Sequence, residues 1–231
     1  NYQESKTIFV NDKTLPIDNK FFFNNFTQTQ QKMAFVDGGN GELVKTPNFS
    51  LQFVRVYASI FKNNKRTHSE KQEFYVTVAA NKKEDKIVYL TKTFDTQFEL
   101  AHEFNVNDST LSTSNHSVSP STIAEAIRKF AEIKLATKII ANLEEGDLLV
   151  RDGELNAQIT FEDNYLEELF CAARKKNVAL CGFSKTTTVL TDTGNSAVAT
   201  LNKMNDSGSW YYLPEQVQAE IKTGFVKLSP L

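Results

Sequence analysis

Between residues 34 and 93 apolar and polar positions alternate in runs that fit β-strands rather than helices. Residues 34–37 form a short apolar run, and residues 51–61 place Leu51, Phe53, Val54, Val56, Ala58 and Ile60 in near alternation. Residues 73–80 and 86–93 repeat the pattern, joined by the charged tip Asn81-Lys-Lys-Glu-Asp85, which suits a hairpin. Lys62 to Arg66 reads as a solvated hairpin tip. A polar stretch from 105 to 119 reads as a loop.

The period then changes. Ile123, Ile127, Phe130, Ala131, Leu135, Ile139 and Leu143 recur at helical spacing. Ser119-Pro-Ser-Thr122 offers caps at the start of this helix, Thr122-x-x-Glu125 fits a capping box, and Glu144-Glu-Gly146 ends it. A buried strand at 147–150 follows, stopped by Arg151-Asp-Gly153. A second helix is predicted over 161–175 and a third buried strand over 178–183, leading into Ser184-Lys-Thr-Thr187. Residues 1–33 are polar, rich in Asn and Gln, and form a peripheral lead-in to a single domain over 34–231. Meandering strands followed by helix, strand, helix, strand predict an antiparallel hairpin sheet extended by parallel βαβ units, with flanking helices. The ribonuclease-H-like layout is the α/β architecture that fits this order. It sets the first strand centrally, beside the strand that follows the first helix.

Composition narrows the class without choosing a function. The chain has 231 residues, 40% hydrophobic and 23% charged, long enough for a sizeable core. No apolar run approaches a membrane span. A formal net charge of -2 exerts no global pull on nucleic acid, so a polyanion would have to meet a local patch. Cys171 and Cys181 form no framework and read as reduced, buried thiols of a cytoplasmic protein. The start at Asn1 reads as trimmed, and Leu231 falls in what reads as a strand region.

Candidate chemistry begins at Met33-Ala-Phe-Val-Asp-Gly-Gly-Asn-Gly-Glu-Leu43, an acid and two glycines after an apolar run. A metal ligand, a phosphate cradle and a tight turn all fit these residues. In the ribonuclease-H-like layout Asp37 and Asp152 sit near the ends of adjacent strands, where open α/β sheets place their sites. Two carboxylates so placed repel unless a cation lies between them, and hard ions such as Mg²⁺ or Mn²⁺ take such oxygen ligands. A third acid would come from the helix before Asp152. Glu132 is favoured over Glu125, which already has a capping role.

Phe35-Val-Asp-Gly-Gly39, Ile127-Arg-Lys-Phe-Ala-Glu-Ile-Lys-Leu-Ala136, Asp147-Leu-Leu-Val-Arg-Asp-Gly-Glu-Leu155 and Gly182-Phe-Ser-Lys-Thr186 together resemble the NurA family of prokaryotic DNA-end-processing nucleases. Trp210-Tyr-Tyr and Gly224-Phe-Val-Lys-Leu228 fit the same pattern, so the resemblance runs from about residue 34 to the end. It implies a Mn²⁺- or Mg²⁺-dependent deoxyribonuclease of the 5′–3′ exonuclease and single-strand endonuclease type, serving DNA end resection. It also implies a homodimer working beside HerA, a hexameric DNA-translocating ATPase. By motif, Asp37, Glu132 and Asp152 become metal ligands, and Lys185 faces the scissile phosphate. The family usually adds a histidine from a segment beyond the Phe-Val-Lys-Leu motif, which this chain does not contain; its histidines are His68, His102 and His116.

Each residue also has an ordinary structural explanation. Asp37 alone suits a turn, Glu132 suits a pair with Arg128 or Lys129, and Lys185 suits a loop. Arg151 would neutralise Asp152 or touch phosphate. The histidines lie in polar surroundings and are given no role. A non-catalytic docking subunit and, less favoured, an actin-like ATPase remain as alternatives to the nuclease.

Overall fold

Val54, Val56, Ala58 and Ile60 are buried along one side of a single strand, while Arg55 between them is exposed on the other. This period-two pattern organises the larger of two compact units, Gln30–Ser184; the second unit combines Asn1–Thr29 with Lys185–Leu231. The structure, a computed structural model, describes residues 5–10, 13–23, 30–100, 102–112, 117–183, 187–205, 208–214 and 225–227.

The elements in chain order are β1 (Thr7–Val10), β2 (Lys13–Pro16), β3 (Phe22–Phe23), β4 (Met33–Thr46), β5 (Phe49–Lys62), β6 (Lys65–Lys83), β7 (Lys86–Phe94) and β8 (Glu103–Asn105). There follow α1 (Pro120–Ile139), β9 (Leu148–Asp152), α2 (Glu162–Lys176), β10 (Ala179–Phe183), α3 (Ala197–Met204), β11 (Trp210–Tyr212) and β12 (Phe225–Lys227).

In the larger unit seven strands form one sheet in the order β10-β9-β4-β5-β6-β7-β8. The meander from β4 to β8 is antiparallel, whereas β9 runs parallel to β4 and β10 parallel to β9. A central first strand, antiparallel neighbours on one side and parallel βαβ strands on the other make this the expected ribonuclease-H-like mixed sheet. Asn63 and Asn64, with φ of 50° and 58°, close the β5–β6 hairpin in left-handed conformations that asparagine tolerates well. The short strand expected at 34–37 is instead the first part of the fourteen-residue β4. Gly38, Gly39 and Gly41 do not turn; they continue the ladder opposite Val56, Arg55 and Phe53. Pairing with β5 takes up the backbone groups on that edge of the strand, and the chain reverses only after Thr46.

Of the caps that the sequence offers at 119–122, the structure uses the first. Ser119, not Thr122, caps α1: its hydroxyl accepts the Thr122 N–H at 3.1 Å, and Pro120 occupies the first turn. The helix then packs across β4, β5 and β6, while α2 packs on α1. Ile127, Phe130, Leu135, Val56, Phe74, Val76 and Leu169 share one buried cluster. Lys138 closes the last turn of α1, and Arg174, Lys175 and Lys176 that of α2, each favourable at a helix C-terminus.

The second unit has its own core of Ile8, Leu15, Phe21, Leu201, Trp210 and Tyr212. Its β11 lies between β3 and β12, and β1 pairs with β2. The polar lead-in therefore supplies strands, and Trp210 and Tyr212 are core residues, as an aromatic cluster ahead of a proline usually is. Tyr212 donates its hydroxyl to the Pro16 carbonyl at 3.2 Å.

Phe130 is fully buried between the sheet and α2, with its ring stacked 4.7 Å from that of Tyr165. Phe130→Ala should lower unfolding free energy by about 3–5 kcal/mol in chemical denaturation. A loss below about 1 kcal/mol would mean that the α1–α2 seam is not part of the cooperative core.

Candidate functional site

Two faces of the sheet meet at β4, and alternation decides which acid lies on which. Ala34 and Val36 are buried beneath α1, so Phe35 and Asp37 lie on the opposite, open face, where both are exposed. On β9, Leu149 and Arg151 are buried and Asp152 takes the open side. The parallel ladder ends with Val36 opposite Arg151, and Asp37 and Asp152 are the next residues of the two strands, both on the open face. Asp37 Oδ1 accepts the N–H of Gly38 at 2.8 Å, and Tyr57 is its cross-strand neighbour.

Glu132 lies on the other side of the strand. It is 3% exposed, sits under Gly38, and accepts a hydrogen bond from Arg128 one helical turn earlier. Arg128 also donates to the Gly38 carbonyl at 3.3 Å, tying α1 to β4. The bond to Arg128 is the pairing that α-helical spacing offered as the ordinary explanation. Burial pushes the Glu132 carboxyl up to about 7; the Arg128 and Arg151 guanidinium charges oppose the shift, and the charge of Asp37 adds to it. A Cβ on Gly38 would stand 2.5 Å from Glu132 Oε1 and 2.9 Å from Val56 Cγ1, so only glycine fits above this carboxylate.

Arg151 is buried on the helix side of β9, opposite the face that Asp152 takes. Its guanidinium is buried against Glu162 at 2.9 Å and donates to the Glu154 carbonyl at 2.8 Å, while its Nε has no hydrogen-bond partner among the described residues. Glu162 in turn accepts the Gln158 N–H at 2.8 Å. These bonds lock the loop after β9 to the first turn of α2. Removing one partner of a buried pair typically costs several kcal/mol.

Lys185 lies outside the described residues. The strand that precedes it in sequence, β10, pairs its Phe183 with Asp152. His102 departs from the polar surroundings expected for it. It stacks on Phe161 at 4.6 Å, touches Phe104 and Phe130 edge-on, and hydrogen-bonds the Tyr165 hydroxyl; burial lowers its pKa. No local pattern around His102 announces this, because its partners come from distant elements. The thiols expected to be buried are also more open, with Cys171 exposed and Cys181 half-buried, both free.

Beyond Asp37 the open face forms a depression of about 510 Å³, lined by Asp37, Gly39, Gly41, Phe53, Arg55 and Tyr57 among others. Sequence reasoning gave these aromatic and basic residues no part. Arg55 sits 5.9 Å above the Phe53 ring and pairs with Glu73 at 2.6 Å. Tyr57 accepts a hydrogen bond from Arg66 at 3.2 Å, and hydroxyls of Ser59 and Ser69 lower its pKa.

The donors fit one arrangement of a hard cation and not another. Among the described residues no group of three or more His, Cys, Asp and Glu is placed to hold a metal ion. The strand separates Glu132 from the aspartates, so the three-acid set Asp37, Glu132 and Asp152 does not converge. The pair Asp37 and Asp152 alone suits a single hydrated Mg²⁺ or Mn²⁺, which commonly uses one or two carboxylates and completes its shell with water and substrate phosphate. Sheet order defines an α/β protein of ribonuclease-H-like architecture, and Asp37 lies within β4 at the point where its pairing with β9 ends. No protein-family model, no curated protein and no solved structure matches the chain.

A carboxyl whose pKa rises on folding binds a proton more tightly in the folded state, so its contribution favours folding at low pH. That contribution is lost as pH rises from 4.5, the ordinary value, through about 7. Glu132→Gln should therefore flatten the fall in unfolding free energy across this window, by on the order of 2 kcal/mol. Parallel pH–stability curves for the variant and the parent would show that Glu132 is not the buried titrating group.

Proposed function

We propose that this chain is a metal-dependent DNA nuclease whose reaction centre is the Asp37–Asp152 pair on the open face of the sheet. The parallel register of β4 and β9, whose last pair is followed on each strand by one of these two acids, carries this reading. The resemblance of the segments around Asp37, Glu132, Asp152 and Lys185 to NurA nucleases supports it. A bound divalent ion would supply the Lewis acidity that polarises a phosphodiester and acidifies a water. The chain's own part is to hold the two carboxylates in register and to keep Asp37 oriented through the Gly38 N–H. Lys185, two residues past the strand that flanks Asp152, is assigned to the developing charge on the phosphate.

Glu132 changes role in this reading. Instead of reaching the ion, it braces the Gly38 peptide from below together with Arg128. Action on DNA ends as a homodimer beside a HerA-type hexameric ATPase belongs to the same proposal and rests on the resemblance alone. The engagement of Glu132 by Arg128 favours a second reading, a ribonuclease-H-like subunit that docks on a translocase without cutting.

A Mn²⁺-dependent nuclease assay against an EDTA control separates the two readings. Asp37→Asn should abolish cleavage, by at least 100-fold. Its melting temperature without metal should hold or rise, because one of two adjacent negative charges is gone. Cleavage by Asp37→Asn at the parental rate would overturn the assignment. Absence of cleavage in the parent itself would favour the docking subunit.

A further inference from the structure

Gly39 and Gly41 have no internal reason to be glycine. Neither has a positive φ, both are paired in the β4–β5 ladder, and a Cβ on either would meet nothing within 4 Å. Gly38 between Asp37 and Gly39 differs, since Glu132 and Val56 crowd it from the helix side. Glycine weakens a strand and often marks a bulge, a bend or a place where something approaches the backbone closely; the bulge of this ladder lies further on, between Glu42 and Val44, while Gly39 and Gly41 keep regular partners.

That space is the floor of the depression. Phe53 stands across from Gly41 and Arg55 across from Gly39, so a ring and a guanidinium border the bare backbone. Beneath, the strand is pinned on the helix side: Asn40 donates to Gln52 at 2.5 Å, and Glu42 accepts hydrogen bonds from Ser50 and Ser121. On its other edge β9 pairs only with Met33–Val36, so among the described residues no strand of the sheet covers the edge from Gly38 to Thr46. The trough is therefore flat, open at the side, and ends at Asp37.

We propose that this trough is a nucleotide subsite for single-stranded DNA next to the cleaved bond. A base stacks on Phe53 over the bare backbone of Gly39 and Gly41, and Arg55, held by Glu73 at 2.6 Å, exchanges that carboxylate for an adjoining phosphate. Base–aromatic stacking with a flanking cation is the chemistry by which proteins hold single strands without reading sequence. Continuity with Asp37 orients the occupant, since a strand lying along β4 leads its next phosphate to the Asp37–Asp152 pair. The inference rests on the nuclease reading for its direction, but binding can be measured without cleavage.

The test is fluorescence anisotropy of a labelled oligothymidylate in EDTA, at fixed low salt, with the full chain. Gly41→Val fills the trough with a side chain that suits an extended strand, so the melting temperature should hold or rise. Its affinity should nevertheless fall at least tenfold. Phe53→Ala should fall similarly, and Asp37→Asn should bind at least as tightly as the parent. If the parent binds the oligonucleotide and both Gly41→Val and Phe53→Ala bind equally well, the subsite is overturned and the nuclease reading is untouched. No binding by the parent overturns it as well. Trough-dependent binding together with absence of Mn²⁺-dependent cleavage would sustain the subsite and remove the nuclease.

Discussion

The larger unit depends on how β4 is paired. For its first four residues β4 is laddered on both edges, antiparallel to β5 and parallel to β9. Beyond Val36, among the described residues, β5 is its one remaining strand partner. That change from two partners to one falls at Asp37, so the acid stands where the sheet opens on one side while its backbone remains fixed. A carboxylate on a loop would be no less exposed but far less constrained, and a carboxylate inside a fully paired sheet would have no room for a ligand. α1 sets the arrangement from beneath, because its apolar face buries Val36, Val56 and Val76 together.

Charge is distributed across the strand in the same spirit. Arg128, Glu132, Arg151 and Glu162 lie on the helix side, all but Arg128 almost fully buried. Burying charge is costly unless it is paired and hydrogen-bonded, and here each carboxylate has a guanidinium partner. The outcome is a neutral layer under an acidic surface, and Glu132 feels both. Geometric specificity is what such a layer can contribute: it ties α1 to β4 and the loop after β9 to α2, the elements that carry the two aspartates.

Much of this was legible in the sequence. Period-two runs gave the meander, and the 3.6-residue period of Ile123, Ile127 and Phe130 gave α1. The rule that βαβ crossovers add parallel strands gave the sheet order. Parity could have placed the acids as well: Ala34 and Val36 face the core, so Asp37 cannot, and Leu149 inward puts Arg151 inward and Asp152 outward. The extent of β4 was hidden because Gly-Gly is strong turn chemistry in isolation and becomes strand only when a partner such as β5 is present. His102 was hidden for a similar reason, since Phe161 and Tyr165 reach it from elsewhere in the chain. The Thr122–Glu125 box lost to Ser119 because a serine directly before a proline offers the earlier and better cap.

The two kinds of strand pairing also separate in folding order. The β5–β6 turn closes through Asn63 and Asn64, with Lys62 meeting Lys65, and the rest of that ladder zips from there. By contrast the junction of β4 with β9 joins Lys32 to Asp147, 115 residues apart. Closing so long a loop carries an entropic cost that must be met before its contacts return anything, so local hairpins precede it. The meander is thus a scaffold that can exist first, and Asp37 waits on it for Asp152. Partial opening reverses that order, so β9 and β10 can peel away while the hairpins persist. An acidic pair assembled across the last-formed junction is present only in the complete fold, and a chain caught part-way through synthesis or unfolding carries one aspartate without the other.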